Sequence, residues 1–231
     1  SILRLWGTAI AQSEGEYVAV LDVRGPPDAG WLECVRQQID RQLPLFFGPV
    51  EPGWAKTDSR ITGYLAEYAQ FSKPLSDTLD EVPGNNLVCH RSLLAGRSEL
   101  VSSGFFKTFM VWRLEQEKGL RPEKFNSMSV TYYKPFSRAH YMGRRYMHGR
   151  CFGATRHDNA GQPPRLLCMF LAFFLPIVRL WRIYRAVRAH SELRYAFFRF
   201  FHLLVQSEVA WSYGELVGYV NNNRAVCAQL D

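Results

Sequence analysis

Four groups of residues carry the chemical possibilities of this chain. The first is Asp22, which ends the apolar run Tyr17–Leu21 and is followed two positions later by Arg24. A carboxylate at the carboxyl end of a buried strand stands where open α/β sheets bind their ligands. The second is Gly84-Asn85-Asn86, whose side-chain amides both donate and accept hydrogen bonds. Pro83-Gly84-Asn85 is equally ordinary turn chemistry ahead of a strand. The third is Lys107, an amine that acts as a base only where burial lowers its pKa strongly. The fourth is Arg144, Arg145 and Arg150. Their planar forks suit the phosphates of a diphosphate or of lipids, and they would serve equally as the solvated face of a basic helix.

These residues need elements to hold them. Tyr17–Leu21 is continuously apolar, as in a parallel-sheet strand buried on both faces. Gly25-Pro26-Pro27-Asp28 is a loop, and a helix is expected from Trp31 to Leu43, where Pro44 ends it. Residues 1–13 form a helical pattern with Leu3, Leu5, Trp6, Ala9 and Ile10 on one face. A short strand over 45–50, a loop over 51–54 and a helix over 59–71 come next. The segment around Trp112 is helical to Gly119, and 127–133 has strand composition. Past residues 161–164 the composition changes. Residues 166–178 are nearly all apolar but are broken by Pro176, and are too short for the ~20 residues of a spanning helix. Arg179, Arg182, Arg185 and Arg188 then recur at three-residue steps among Leu180, Trp181, Ile183 and Tyr184. With the aromatic-rich run 195–220, this suits helices lying in a membrane interface. A hairpin dipping into the bilayer and a soluble helical cap are the alternatives.

Composition narrows the classes. With 231 residues and 47% hydrophobic content, the chain is large enough for a packed core and is not disordered. A net charge of +7 suits phosphate-bearing ligands, anionic membranes or nucleic acid, but no nucleic-acid recognition motif is present, so no such partner is expected. The five cysteines, at 34, 89, 151, 168 and 227, lack metal-binding spacing, and a scattered odd set reads as reduced thiols facing the cytoplasm. There is no phosphate-binding P-loop, Gly-x-Ser-x-Gly elbow or His-Glu-x-x-His.

Several segments, in order, resemble the family 2 glycosyltransferases. Gly15-Glu16-Tyr17-Val18-Ala19-Val20-Leu21-Asp22 looks like the strand leading into that family's Asp-x-Asp motif, and Pro27-Asp28-Ala29-Gly30-Trp31-Leu32 is similar to the segment after that motif. Gly48-Pro49-Val50-Glu51-Pro52-Gly53 resembles the next strand and turn. Asn85 and Asn86 fall in the segment that lines the acceptor side, with Gly84. Trp112-Arg113-Leu114 matches the helix after the catalytic acids, and Arg144 to Arg150 looks like the basic aromatic segment placed beyond that helix. Trp211 and Gly214-Glu215-Leu216-Val217-Gly218-Tyr219 resemble the tail of membrane-associated members.

The resemblance implies a partial GT-A, Rossmann-like α/β fold: a mixed sheet flanked by helices over 1–160, short of its nucleotide-binding start as a fragment or natural truncation, then interfacial helices over 161–231. It implies transfer of a sugar from a nucleotide-sugar, a UDP-sugar first, to a lipid-linked or polysaccharide acceptor. Asp22, Arg24, Arg144, Arg145 and Arg150 would face the nucleotide diphosphate, while Gly84, Asn85, Asn86 and Trp112 would face the acceptor. The family's Mg²⁺ or Mn²⁺ would have Asp22 alone as its ligand, because Arg24 replaces the second acid and Tyr133 stands where many members place a histidine. Phe106 and Lys107 occupy the positions of the family's Glu-Asp base pair, so Lys107 sits at the usual base position; Arg24 and Lys107 would offset the diphosphate charge, and Glu81 or Glu99 would have to supply the base. The location implied is the cytoplasmic face of a membrane, peripheral or monotopic, with docking through 165–220. The alternative is a non-catalytic scaffold of the same fold, docked on a membrane protein complex through a partner subunit.

Overall fold

A computed structural model describes residues 2–77, 79, 81–94, 107–133, 137–158 and 162–229. Phe106 and Glu99 lie outside the described residues. The fold is mixed α/β, and the chain forms two compact units. One holds residues 3–53 and 70–134; the other holds 1–2, 54–69 and 135–231. The composition change near residue 161 therefore lies inside the second unit.

The sheet unit is built on β1 (Tyr17–Leu21), β2 (Leu45–Phe47), β4 (Asn86–His90) and β5 (Glu123–Lys124), in the order β1-β4-β2-β5. β4 runs antiparallel to both β1 and β2, and β2 is parallel to β5. A second small sheet pairs β3 (Val50–Pro52) with β6 (Val130–Tyr132) in parallel. Pro44 and Gly48-Pro49 bracket β2, whose three side chains are all buried. Gly48 is required there, since a Cβ would sit 1.7 Å from the Met128 carbonyl oxygen. Helices α1 (Ile2–Gln12), α2 (Trp31–Asp40) and α4 (Lys107–Lys118) belong to this unit, and Met110 and Leu114 of α4 are fully enclosed.

β1 corrects the expectation of a strand buried on both faces. It pairs on one side only, among the described residues, and antiparallel. Val18 and Val20 turn inward while Ala19 is exposed. A small side chain on the wet face makes an apolar run compatible with a half-covered edge.

The helical unit holds α3 (Ile61–Tyr68), α5 (Arg138–Thr155), α6 (Arg165–Ala172), α7 (Leu175–Val187), α8 (Ser191–Arg199) and α9 (Phe201–Asn221). Its centre is the pairing of α5 with α9. Gly149 and Gly153 on α5 oppose Gly214 and Gly218 on α9, each one turn apart. A Cβ on any of the four would lie between 2.0 and 2.3 Å from a backbone oxygen of the other helix. The helices therefore touch backbone to backbone, as small-residue pairs allow. Cys151 on α5 forms a disulfide with Cys227 of the 3₁₀ stretch Arg224–Gln229, while Cys34, Cys89 and Cys168 are free and buried. This corrects the expectation that all five thiols are reduced; the 76-residue separation hides the pair from any local reading.

Candidate active site

Asp22 sits immediately past β1, and its carboxylate organises the turn after the strand. Its Oδ1 accepts the Arg24 backbone N–H at 3.0 Å, and the Gly25 N–H reaches the Asp22 carbonyl at 2.8 Å. The Arg24 guanidinium Nε lies 3.9 Å from the same Oδ1 and remains 42% exposed. At that distance and exposure it is a loose surface pair. The strand past the loop fixes it further: the Tyr133 N–H donates to the Arg24 carbonyl at 2.8 Å and the Thr131 N–H to the Pro26 carbonyl at 3.0 Å. Tyr133 thus stands beside Arg24, with its side chain exposed.

Lys107 opens the described part of α4. It is 6% exposed. Its ammonium nitrogen donates to the Gly84 carbonyl and lies 3.3 Å from the centre of the Trp6 ring. Burial pulls its pKa well below the ordinary lysine range, and the charge of Asp22 returns part of that shift. With its pKa lowered in this way, an amine held by one carbonyl and an aromatic face within electrostatic reach of one carboxylate is a candidate proton acceptor. The sequence placed Lys107 at a base position without foreseeing its burial, and it missed Trp6 and the Gly84 carbonyl altogether. Trp6 was legible only as one member of a helical apolar face.

Asn85 and Asn86 separate in role. Asn86 is fully buried. It accepts from the Trp31 indole N–H at 2.9 Å and donates to the carbonyls of Pro49 at 3.0 Å and Met128 at 2.6 Å. Its amide is spent on the core, which corrects its assignment to an acceptor. Asn85 is also buried, yet its Oδ1 has no hydrogen-bond partner among the described residues. Its Nδ2 would lie 2.8 Å from a Cβ at Gly25, so Asn85 packs against the loop that Asp22 starts. An unpaired buried oxygen is costly unless something supplies a donor. Trp112 is half-buried on α4, with its ring 5.6 Å from that of Phe109. Thus Asp22, Arg24, Gly84, Asn85 and Lys107 form one neighbourhood, and Tyr133 borders it.

The three arginines belong to the helical unit, where two are committed to carboxylates. Arg145 is buried and donates to both oxygens of Glu208, at 2.9 and 3.0 Å. Glu208 also accepts from Arg179. Burial alone would push the Glu208 carboxyl up, but Arg145 and Arg179 outweigh it and hold the pKa below the usual range. Arg144 lies 3.7 Å from Glu67. Arg150 is half-buried on α5, with its Nε unpaired among the described residues. The diphosphate assignment of Arg145 is therefore corrected, since a guanidinium enclosed in the helical unit and bonded to a buried carboxylate is closed to a phosphate from solvent.

The residues present do not fit the divalent cation that the resemblance implies. Such ions sit on one or two carboxylates plus the substrate's phosphates and water, and Asp22, the carboxylate of this site, already accepts an N–H and is flanked by the basic side chains of Arg24 and Lys107, which oppose a cation there. Among the described residues no group of three His, Cys, Asp or Glu could hold a metal. No family model, curated protein or solved structure matches this chain.

Proposed function

We propose that the sheet unit is a glycosyltransferase-like site that transfers sugar from a nucleotide-sugar to a lipid-linked or polysaccharide acceptor at a membrane, with Lys107 as base and the Arg24 guanidinium in place of a metal. The observation that carries this reading is the enclosure of Lys107 between Trp6 and the Gly84 carbonyl within the field of Asp22. The acceptor hydroxyl gives its proton to the Lys107 amine as its oxygen attacks the anomeric carbon. The bond from that carbon to the diphosphate breaks, and the nucleoside diphosphate leaves with the electron pair. Asp22 offsets the lysinium so formed, and the exposed Arg24 fork offsets the charge on the leaving group.

Calorimetry with UDP and UDP-sugars, with Mn²⁺ and then with EDTA, tests this. Binding is expected without metal and about tenfold weaker in Arg24→Ala. Lys107→Met should keep donor binding and lose transfer. Undiminished transfer by Lys107→Met, or no binding under any condition, overturns it.

A second reading, a non-catalytic scaffold of the same fold docked on a partner subunit, is favoured by Asn86 and Arg145, whose polar groups are spent on packing. It expects no UDP binding and no transfer by a fully folded chain.

A further inference from the structure

The helical unit turns its apolar surface outward along one stretch. On α6 the small residues Cys168 and Ala172 are buried, while Leu166 is 78% and Phe170 61% exposed. At the break after α6, Phe173 is 69% exposed, and on α7 Ile177 is 68% and Trp181 54% exposed. On α6, large apolar side chains outside and small ones inside invert the usual order, whereas α7 also buries Ile183 and Val187. Large apolar side chains exposed together along one stretch mark an interaction surface.

The shape of this stretch selects its occupant. α6 has 8 residues and α7 has 13, and their axes bend by 69° at the break. Neither reaches the ~20 residues that cross a bilayer, and a bend of that size prevents the pair from acting as one straight rod. Helices of this kind bury their apolar face in one leaflet. Charge points the same way. Between Asp158 and Glu192 there is no acidic residue, and Arg165, Arg179, Arg182, Arg185 and Arg188 all fall there. Arg179 turns inward to Glu208, while Arg182, Arg185 and Arg188 are exposed. The Arg185 guanidinium lies 4.7 Å from the Trp181 ring, a pairing that lets the stem lie along apolar surface with the charge at the water edge. A second copy would set arginine against arginine with no carboxylate from the same stretch to match.

We propose that the α6–α7 elbow inserts into one leaflet of a bilayer containing anionic lipid, with Phe170, Phe173, Ile177 and Trp181 at the acyl boundary and Arg182, Arg185 and Arg188 on headgroup phosphates. This deepens the sugar-transfer reading and rests on it for the purpose of docking. The physical case for docking itself comes from the elbow.

Flotation of the full chain with vesicles of phosphatidylcholine alone, or mixed with one-quarter phosphatidylglycerol, tests it. The expected result is at least tenfold more binding to the anionic vesicles, falling steeply in high salt, with a blue shift of tryptophan emission. Phe170→Glu with Ile177→Glu should abolish flotation. Arg182→Glu with Arg185→Glu and Arg188→Glu should remove the preference for anionic lipid. All these side chains are exposed, and circular dichroism checks that the variants fold. No flotation overturns the proposal. Equal binding to both vesicle types overturns the anionic class. A dimer by light scattering that Phe170→Glu dissolves assigns the face to a second copy and overturns it too. UDP calorimetry on the same samples separates the two readings: flotation without UDP binding strikes only sugar transfer, and UDP binding without flotation strikes only docking.

Discussion

Lys107 in the sheet unit and Arg145 in the helical unit are both cationic and both enclosed, at 6% and 3% exposure. Around Arg145 the burial that would lower its pKa is outweighed, chiefly by Glu208, and the guanidinium stays charged. Around Lys107 the nearest groups among the described residues are a carbonyl and an indole ring, and Asp22 offsets burial only in part. The same desolvation therefore yields a fixed charge in one place and a titratable amine in the other. What decides is whether a carboxylate is held in contact. Buried charge with a bonded partner reads as architecture, and buried charge without one reads as chemistry.

The largest effect should come from breaking the paired cluster. Glu208→Leu leaves Arg145 enclosed without its bidentate partner and strips Arg179 of its own. Removing one member of a buried pair costs about 3–5 kcal/mol, so the urea midpoint should drop sharply. A drop worth under ~1 kcal/mol would mean that water reaches Arg145 and that the contrast with Lys107 is false. Pairing Glu208→Leu with Arg145→Met should recover most of the loss, because the orphaned charge is then gone.

The next effect tests what brings that cluster together. Gly214→Ala places a methyl 2.0 Å from the Tyr146 carbonyl oxygen. That atom is backbone, so α5 and α9 must separate. Overpacking of this sort costs about 1–3 kcal/mol. The melting temperature should fall, and the Arg145–Glu208 geometry should loosen with it. An unchanged melting temperature would show that the helices have room to spare.

Local features of both units were legible in the sequence, and features made by distant partners were not. Pro44 and Gly48-Pro49 bracket β2 within a few positions, and Asp22 comes directly after the apolar run. The mixed α/β character and the aromatic-arginine content of 166–188 were equally open to reading. Asn86 was read as a ligand-binding amide because its partners are Trp31, Pro49 and Met128, 37 to 55 residues away. Arg145 was misread for the same reason, since Glu208 lies 63 residues on. One usable signal was overlooked. Gly149-x-x-x-Gly153 and Gly214-x-x-x-Gly218 are visible in sequence as matching small-residue pairs, and they mark the two helices that meet.

A smaller effect sharpens the Lys107 side of the contrast. Its folded-state pKa lies below that of the unfolded chain. Between the two values the unfolded state holds a proton that the folded state has released. Stability should therefore rise with pH through that window, by at most about 1.4 kcal/mol per unit, and level off near the ordinary lysine value of about 10.4. Lys107→Met should abolish this slope and stabilise the chain at neutral pH, while removing any transfer activity. An unchanged slope in the variant would mean that Lys107 stays protonated in the fold and cannot be a base.

The smallest effect is Arg24→Ala. The turn after β1 is closed by the Arg24 backbone N–H on Asp22 Oδ1, and alanine keeps that bond. What is lost is a guanidinium 42% exposed and 3.9 Å from the carboxylate, in the class of surface pairs worth about 0–1 kcal/mol. Stability should move by less than about 0.5 kcal/mol, whereas UDP binding should weaken about tenfold if the fork serves a diphosphate. Those two numbers divide the roles that the contrast assigns. A cation whose loss leaves the fold intact and the ligand unbound belongs to the site. A loss of stability like that expected of Glu208→Leu would instead make Arg24 a structural member of the turn and leave Lys107 as the basic side chain beside Asp22, among the described residues, available for chemistry.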